Sequence, residues 1–154
     1  MSTPARVATI EALRDLRHSL PMELLRAREA AMARFRPVLR EHGLTEQQWR
    51  VVRVLAEHDG IDASEVAARC FLLAPSLTRI LQFLERQGFV SRTLDDNDQR
   101  RSVLELTTKG HRLFAKVGPD SELCYSDIEA EFGHERLEQL YELLADFYTT
   151  LNQS

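Results

Sequence analysis

The stretch Pro75-Ser76-Leu77-Thr78-Arg79-Ile80-Leu81-Gln82-Phe83-Leu84-Glu85-Arg86-Gln87-Gly88 runs on into Phe89-Val90-Ser91-Arg92-Thr93-Leu94 and the polar run Asp95-Asp96-Asn97-Asp98-Gln99-Arg100-Arg101. Pro75 suits a first helical turn, where its missing N–H has no intrahelical partner to lose, and Gly88 suits a helix end. At 100° per residue Leu77, Ile80, Leu81 and Leu84 gather within about 100° and mark a core face. The opposite side carries Thr78, Arg79, Gln82 and Arg86, with Ser76 and Phe83 at its margin. Arginine bonds two acceptors of guanine, glutamine pairs with adenine, and Ser or Thr reaches a base or a phosphate, so this face has the groups of a major-groove reader. Any surface helix displays such residues, and the helix alone does not decide between the two readings.

The flanking segments tip that balance. Upstream, Asp62-Ala63-Ser64-Glu65 opens a short helix through Val66, Ala67 and Arg69, and a tight connection to the Pro75 helix makes a helix-turn-helix. Downstream, residues 89–94 and Ser102-Val103-Leu104-Glu105-Leu106 alternate as strands of a hairpin whose tip is the charged run. Arg100 and Arg101 at that tip are placed to enter a minor groove or grip phosphates. Asp95, Asp96 and Asp98 would repel phosphate if they pointed outward, so Asp95 or Asp98 is expected to orient an arginine. A merely solvated charged loop is the alternative.

Further outward, Ser19 and Pro21 begin a helix carrying Leu24, Ala31, Phe35, Val38 and His42 on one face, ended by Gly43. Thr45 and Gln48 form a capping box for a helix with Trp49, Val52, Leu55 and Ala56, stopped at Asp59-Gly60. Thr107 caps a helix to about Phe132, with a possible bend at Gly118-Pro119. After Gly133 a last helix carries the stripe Leu137, Leu140, Leu144 and Phe147. The resulting class is mainly α with a small β-hairpin. The boundaries are an N-terminal arm at 1–18, a first long helix at 19–43, a winged helix-turn-helix at 44–107 and C-terminal helices at 108–154.

Composition sets limits on function. A chain of 154 residues, 44% hydrophobic and 29% charged, buries a real core. No stretch approaches the roughly 18 apolar residues of a spanning helix, and the N-terminus lacks a signal-peptide core, so a cytoplasmic location is expected. The net charge of −4 is unevenly spread: residues 118–154 carry one arginine against nine carboxylates, whereas residues 64–117 carry nine basic against six acidic groups. A mildly basic centre can face phosphate while an acidic end is held away, although acidic helices also simply confer solubility. Cys70 and Cys124 lack a CxxC pattern, and no disulfide, metal or cofactor site is indicated.

At this point the chain resembles the MarR family of bacterial transcription regulators. The resemblance spans about residues 20–150. It rests on Leu44-Thr45-Glu46-Gln47-Gln48-Trp49, on Pro75–Leu81 with Leu84–Arg92, and on Asp95–Arg101 through Leu106-Thr107-Thr108-Lys109-Gly110. Asp95, Asp98 and Arg100 match the family's wing pattern, while Gln99 stands where many members carry a first arginine. The resemblance implies a winged helix-turn-helix flanked by N- and C-terminal dimerisation helices, an obligate homodimer, and a double-stranded pseudo-palindromic operator as partner. The apolar stripe after Gly133 calls for a partner independently.

Within the family, Leu24–Met32, Phe35-Arg36-Pro37 and Thr45–Arg50 are similar to repressors of homoprotocatechuate (4-hydroxyphenylacetate) degradation operons. That likeness implies an aromatic carboxylate effector. Arg28 shares a stripe with Leu24, Ala31 and Phe35, where a cation needs an anion beside it. That anion is either a protein carboxylate or the effector's, held bidentately with Phe35 and Trp49 as apolar walls and Arg53 as a second cation. The contacts expected for DNA are Ser76, Thr78, Arg79, Gln82, Arg86, Asn97, Arg100 and Arg101.

Three other classes compete. Catalysis is disfavoured because His18, His42, His58, His111 and His134 are scattered and no GxSxG, HExxH, P-loop or dinucleotide motif occurs. A cysteine-based redox-sensing regulator of the same fold would act through Cys70, between the two helix-turn-helix helices. An acidic helical protein-interaction module would use the C-terminal helices.

Overall fold

The computed structural model describes residues 14–98 and 100–153. Most of the expected N-terminal arm, and Gln99 in the wing, lie outside these residues. The chain divides into two units, one up to Ala33 and one from Arg34 onward. In the first, a short 3-10 turn at Leu16–His18 is capped by the Asp15 carboxylate, which accepts the Arg17 N–H at 3.1 Å. The long helix α1 (Leu20–Glu41) begins directly after Ser19. Leu16, Leu20, Met22, Leu24 and Leu25 are all exposed in this unit.

In the second unit α1 buries Phe35 and Leu39 before it stops. Gly43, at φ 72°, makes the stop possible: it lets the Leu44 N–H reach the Leu39 carbonyl (2.9 Å) while its own N–H meets that of Arg40 (3.0 Å). Helix α2 (Glu46–Glu57) opens on the expected capping box, Thr45 Oγ1 accepting from the Gln48 N–H (3.2 Å) and Gln48 Oε1 from the Thr45 N–H (3.0 Å). Its Val51, Val52 and Leu55 are fully buried. Each such side chain contributes about 1.5–3 kcal/mol relative to exposure.

A two-residue strand β1 (Ile61–Asp62) leads into α3 (Ala63–Cys70), whose first turn is capped by Asp62 Oδ1 at 2.8 Å from the Glu65 N–H. The connection to the next helix turns on Phe71, held in the left-handed region at φ 53°. A side chain there costs about 1–2 kcal/mol. Arg50 Nη1 ties this corner down by donating to the Cys70 carbonyl at 2.9 Å. Helix α4 (Ala74–Arg86) follows, with Pro75 in its first turn and Leu77, Ile80, Leu81 and Leu84 buried. Gly88 at φ 76° ends it through Phe89 N–H to Leu84 O (2.9 Å) and Gly88 N–H to Glu85 O (3.0 Å).

Strands β2 (Val90–Leu94) and β3 (Ser102–Leu106) pair antiparallel, with Val90 opposite Leu106 and Leu94 opposite Ser102. The expected hairpin is thus one part of a three-stranded sheet ordered β1-β3-β2, with Ile61 opposite Leu104 and Asp62 opposite Val103. Two residues are too few to show alternation, which is why β1 left no sequence signal. Helix α5 (Thr108–Phe132) is capped by Thr107 and runs without a break through Pro119, and α6 (His134–Asn152) follows Gly133. No residue of α6 is buried: Leu140, Leu144 and Phe147 remain 37–40% exposed. Among the described residues no single helix is long and apolar enough to cross a membrane.

Candidate nucleic-acid interface

The burial of one side of α4 leaves the other side in solvent. Thr78, Arg79, Gln82 and Arg86 are exposed, and Ser76 and Phe83 lie half-buried at the margin. Thr78 Oγ1 donates to the Ala74 carbonyl at 2.9 Å, so its proton is used inside the helix and only its lone pairs and methyl face outward. Arg79 and Arg86 have no hydrogen-bond or ion-pair partner among the described residues. The one carboxylate at this margin, Glu85, is taken by Arg92 Nε of β2 at 2.9 Å. The face therefore presents two cations and an amide with no acceptor among the described residues.

At the wing, Asp95 Oδ1 accepts the Asn97 N–H at 2.9 Å and Asp98 Oδ1 accepts the Arg100 N–H at 3.0 Å. The two aspartates orient the tip through backbone amides rather than through guanidinium groups. Arg100 is exposed, and its guanidinium has no partner among the described residues. Arg101 differs: its Nε lies 3.0 Å from Asp62 Oδ2. The base of the wing is fastened to α4 and α5, since Thr107 Oγ1 donates to the Gly88 carbonyl (2.6 Å) and Lys109 Nζ to the Gln87 carbonyl (2.7 Å), the latter over the Phe89 ring.

The candidate effector residues fall in both units. In the first, Arg28 is exposed, with Nη1 3.3 Å from Glu29 Oε1. In the second, Phe35 and Trp49 are buried and Arg53 is half-buried. Phe35 meets Tyr125 edge-on at 4.7 Å between ring centroids, and Trp49 stacks on Phe114 at 5.7 Å. Arg53 Nη1 donates to the Tyr125 hydroxyl at 2.9 Å, and no carboxylate pairs with it among the described residues. Its partner is thus a phenol hydroxyl and not a carboxylate. On α5, Asp120 Oδ2 lies 2.7 Å from His42 Nε2, and both oxygens of Glu131 accept from Arg34 (2.7 Å each). Hydrogen bonding and the charge of Arg34 hold the Glu131 carboxyl below the usual glutamate range.

Both cysteines are buried. Desolvation pushes both thiols up, that of Cys70 against the opposing charge of Arg50. A reactive sensing cysteine requires the opposite, an exposed and acidified thiol.

Residues 42–101 match the sequence model of the MarR family. Over 129 residues the chain is 47% identical to the homoprotocatechuate degradative operon repressor of Escherichia coli, covering 84% of this chain and 87% of that protein. The chain belongs to the MarR family. Two solved structures resemble this MarR-family chain. NadR in complex with 4-hydroxyphenylacetate is 37% identical with a TM-score of 0.80, covering 88% of this chain and 98% of its own. The transcriptional repressor CouR, bound to a 23-mer DNA duplex, is 26% identical with a TM-score of 0.79, covering 86% and 94%.

Several residues of this MarR-family site escaped the sequence reading. Tyr125 and Phe114 lie on α5, in a segment without a motif, and meet α1 and α2 only through tertiary packing. Asp62 was legible as a helix cap but not as the partner of Arg101, because that pairing depends on strand register.

Proposed function

We propose that this protein is a sequence-specific, homodimeric transcriptional repressor of an aromatic-compound catabolic operon, acting in the cytoplasm by binding rather than catalysis and released from DNA by an aromatic carboxylate. The observation that carries the reading is the outward face of α4, where Arg79, Gln82 and Arg86 have no partner among the described residues, beside a wing whose Arg100 guanidinium has none among them either. Ser76, Thr78 and Asn97 complete the contact set; Arg101, expected there from the sequence, is paired with Asp62. Dimerisation is supported by the uncovered stripe of Leu140, Leu144 and Phe147. The segments 19–43 and 108–154 supply the dimer and 44–107 reads DNA. Two recognition helices related by a two-fold axis would read half-sites roughly 10 base pairs apart.

The effector reading rests on Arg53, one turn after Trp49 on α2, a half-buried cation with no carboxylate partner among the described residues, whose Nη1 donates to the hydroxyl of Tyr125, the ring that meets Phe35. A repressor of homoprotocatechuate degradation and a 4-hydroxyphenylacetate-bound structure among the relatives support the ligand class. Such a ligand releases DNA only if it prefers the conformation that DNA disfavours.

Fluorescence anisotropy on a pseudo-palindromic duplex tests both parts. Arg79→Ala is expected to lose about 1–3 kcal/mol of specific binding and almost none on random DNA. Adding 4-hydroxyphenylacetate or homoprotocatechuate should release wild-type protein and leave Arg53→Leu bound. Equal losses on both duplexes would reduce Arg79 to a phosphate contact, and release of Arg53→Leu at the wild-type ligand concentration would move the pocket elsewhere.

A further inference from the structure

Asp62 divides its two oxygens between two elements. Oδ1 caps α3 through the Glu65 N–H at 2.8 Å, and Oδ2 lies 3.0 Å from Arg101 Nε. The strand register brings them together, because Asp62 stands opposite Val103, two residues beyond Arg101. Arg101 is also where the wing tip closes: its carbonyl accepts the Asp95 N–H at 2.9 Å and its N–H donates to the Asp98 carbonyl at 3.0 Å. Anchoring this one residue therefore anchors the loop that carries Arg100.

We propose that Asp62 is a positioning residue for DNA binding: it clamps Arg101, fixes the wing against the N-terminus of α3, and so aims Arg100 rather than Arg101 at DNA. This rests on the DNA-binding reading above. The pair is partly exposed, with side chains 29% and 46% accessible, so it contributes little to global stability. Its effect is on order. A wing tip already held in place loses less conformational freedom when it docks. A phosphate that drew Arg101 away would also leave the Asp62 carboxylate uncompensated near DNA, so the pair is better kept than exchanged.

Asp62→Asn separates the two roles, because asparagine caps a helix as well as aspartate does but brings no charge to Arg101. The comparison set is Asp62→Asn, Arg101→Met, the double variant and Arg100→Ala, titrated on a duplex that the wild-type protein selects from a randomised pool. Asp62→Asn and Arg101→Met should each weaken binding about two- to fivefold per wing engaged. The double variant should be no weaker than the weaker single, with the wild-type salt slope kept throughout. Arg100→Ala alone should lower the slope, by about one per wing engaged. In the free protein the Asp95 and Arg101 amides should exchange faster in Asp62→Asn, while the Glu65 amide, still capped, should not change. Tighter binding of Asp62→Asn with a steeper salt slope would show that Asp62 holds Arg101 back from phosphate and would overturn the proposal. Additive losses or unaltered wing exchange would do the same. If the wild-type protein selects no duplex, it is the DNA reading that fails, and the exchange comparison decides the clamp by itself.

Discussion

Replacing Gly110 by alanine should loosen the seat of the wing, although alanine is the better helix former. Gly110 is buried in the first turn of α5, and its N–H meets Thr107 Oγ1 at 3.0 Å. A Cβ there would fall on the carbonyl oxygen of Phe89, with the Phe89 carbonyl carbon at 3.1 Å and Leu106 Cδ2 at 3.2 Å. The Leu106 methyl can rotate away. The Phe89 carbonyl cannot, because it already accepts the Thr107 N–H at 3.0 Å and leads directly into β2. Helix propensity favours alanine by about 1 kcal/mol. Against it stand about 1–3 kcal/mol of overpacking and about 1 kcal/mol if the Thr107–Phe89 hydrogen bond is lost. The net expectation is a loss of about 1–3 kcal/mol. Gly118 of the same helix is the comparison, since a Cβ there meets nothing within 4 Å. Gly118→Ala should gain up to about 1 kcal/mol. Urea unfolding of both variants at one protein concentration measures the gap, the fixed concentration removing any mass-action shift from association. If Gly110→Ala is as stable as Gly118→Ala, the close approach of α5 to the Phe89 backbone is not a constraint and the reasoning fails.

Two further outcomes follow from the charged and titratable groups. Cys70 and Cys124 should resist a thiol-directed reagent at neutral pH in the native protein and react at once on unfolding, since burial keeps both protonated; rapid native-state reaction of Cys70 would restore the redox-sensing alternative. The Glu131 carboxyl should titrate below the usual glutamate range by NMR and return to it in Arg34→Ala. Because its folded pKa is depressed, the pair's contribution to stability is present above the usual glutamate value and lost as pH falls through the depressed one.

Much of the reading face was open to inspection in the sequence. Leu77, Ile80, Leu81 and Leu84 repeat at helical spacing, so the residues between them had to face solvent, and Arg79, Gln82 and Arg86 do. Gly43 and Gly88 announced helix ends because both need positive φ, which glycine adopts without strain. The left-handed turn at Phe71 carried no such signal, since nothing local distinguishes a phenylalanine that will bear that strain. Asp95 and Asp98 were legible as wing residues, but which donors they meet depends on the turn geometry of a charged loop.

What the sequence by itself determined is local: the periodic faces of α2 and α4, the caps at Thr45, Asp62 and Thr107, and the hairpin after Gly88. Each depends on contacts within about four residues or on the alternation of a strand, and both leave a pattern in composition. Only the tertiary structure decided that β1 pairs with β3, that Arg101 therefore meets Asp62 instead of a wing aspartate, and that Arg53 faces the Tyr125 hydroxyl. Arg53 and Tyr125 are 72 positions apart, and Asp62 and Arg101 are 39 apart. Spacing over such distances carries no periodic signal, because the partner is chosen by how the helices and sheet pack and not by the chain between them.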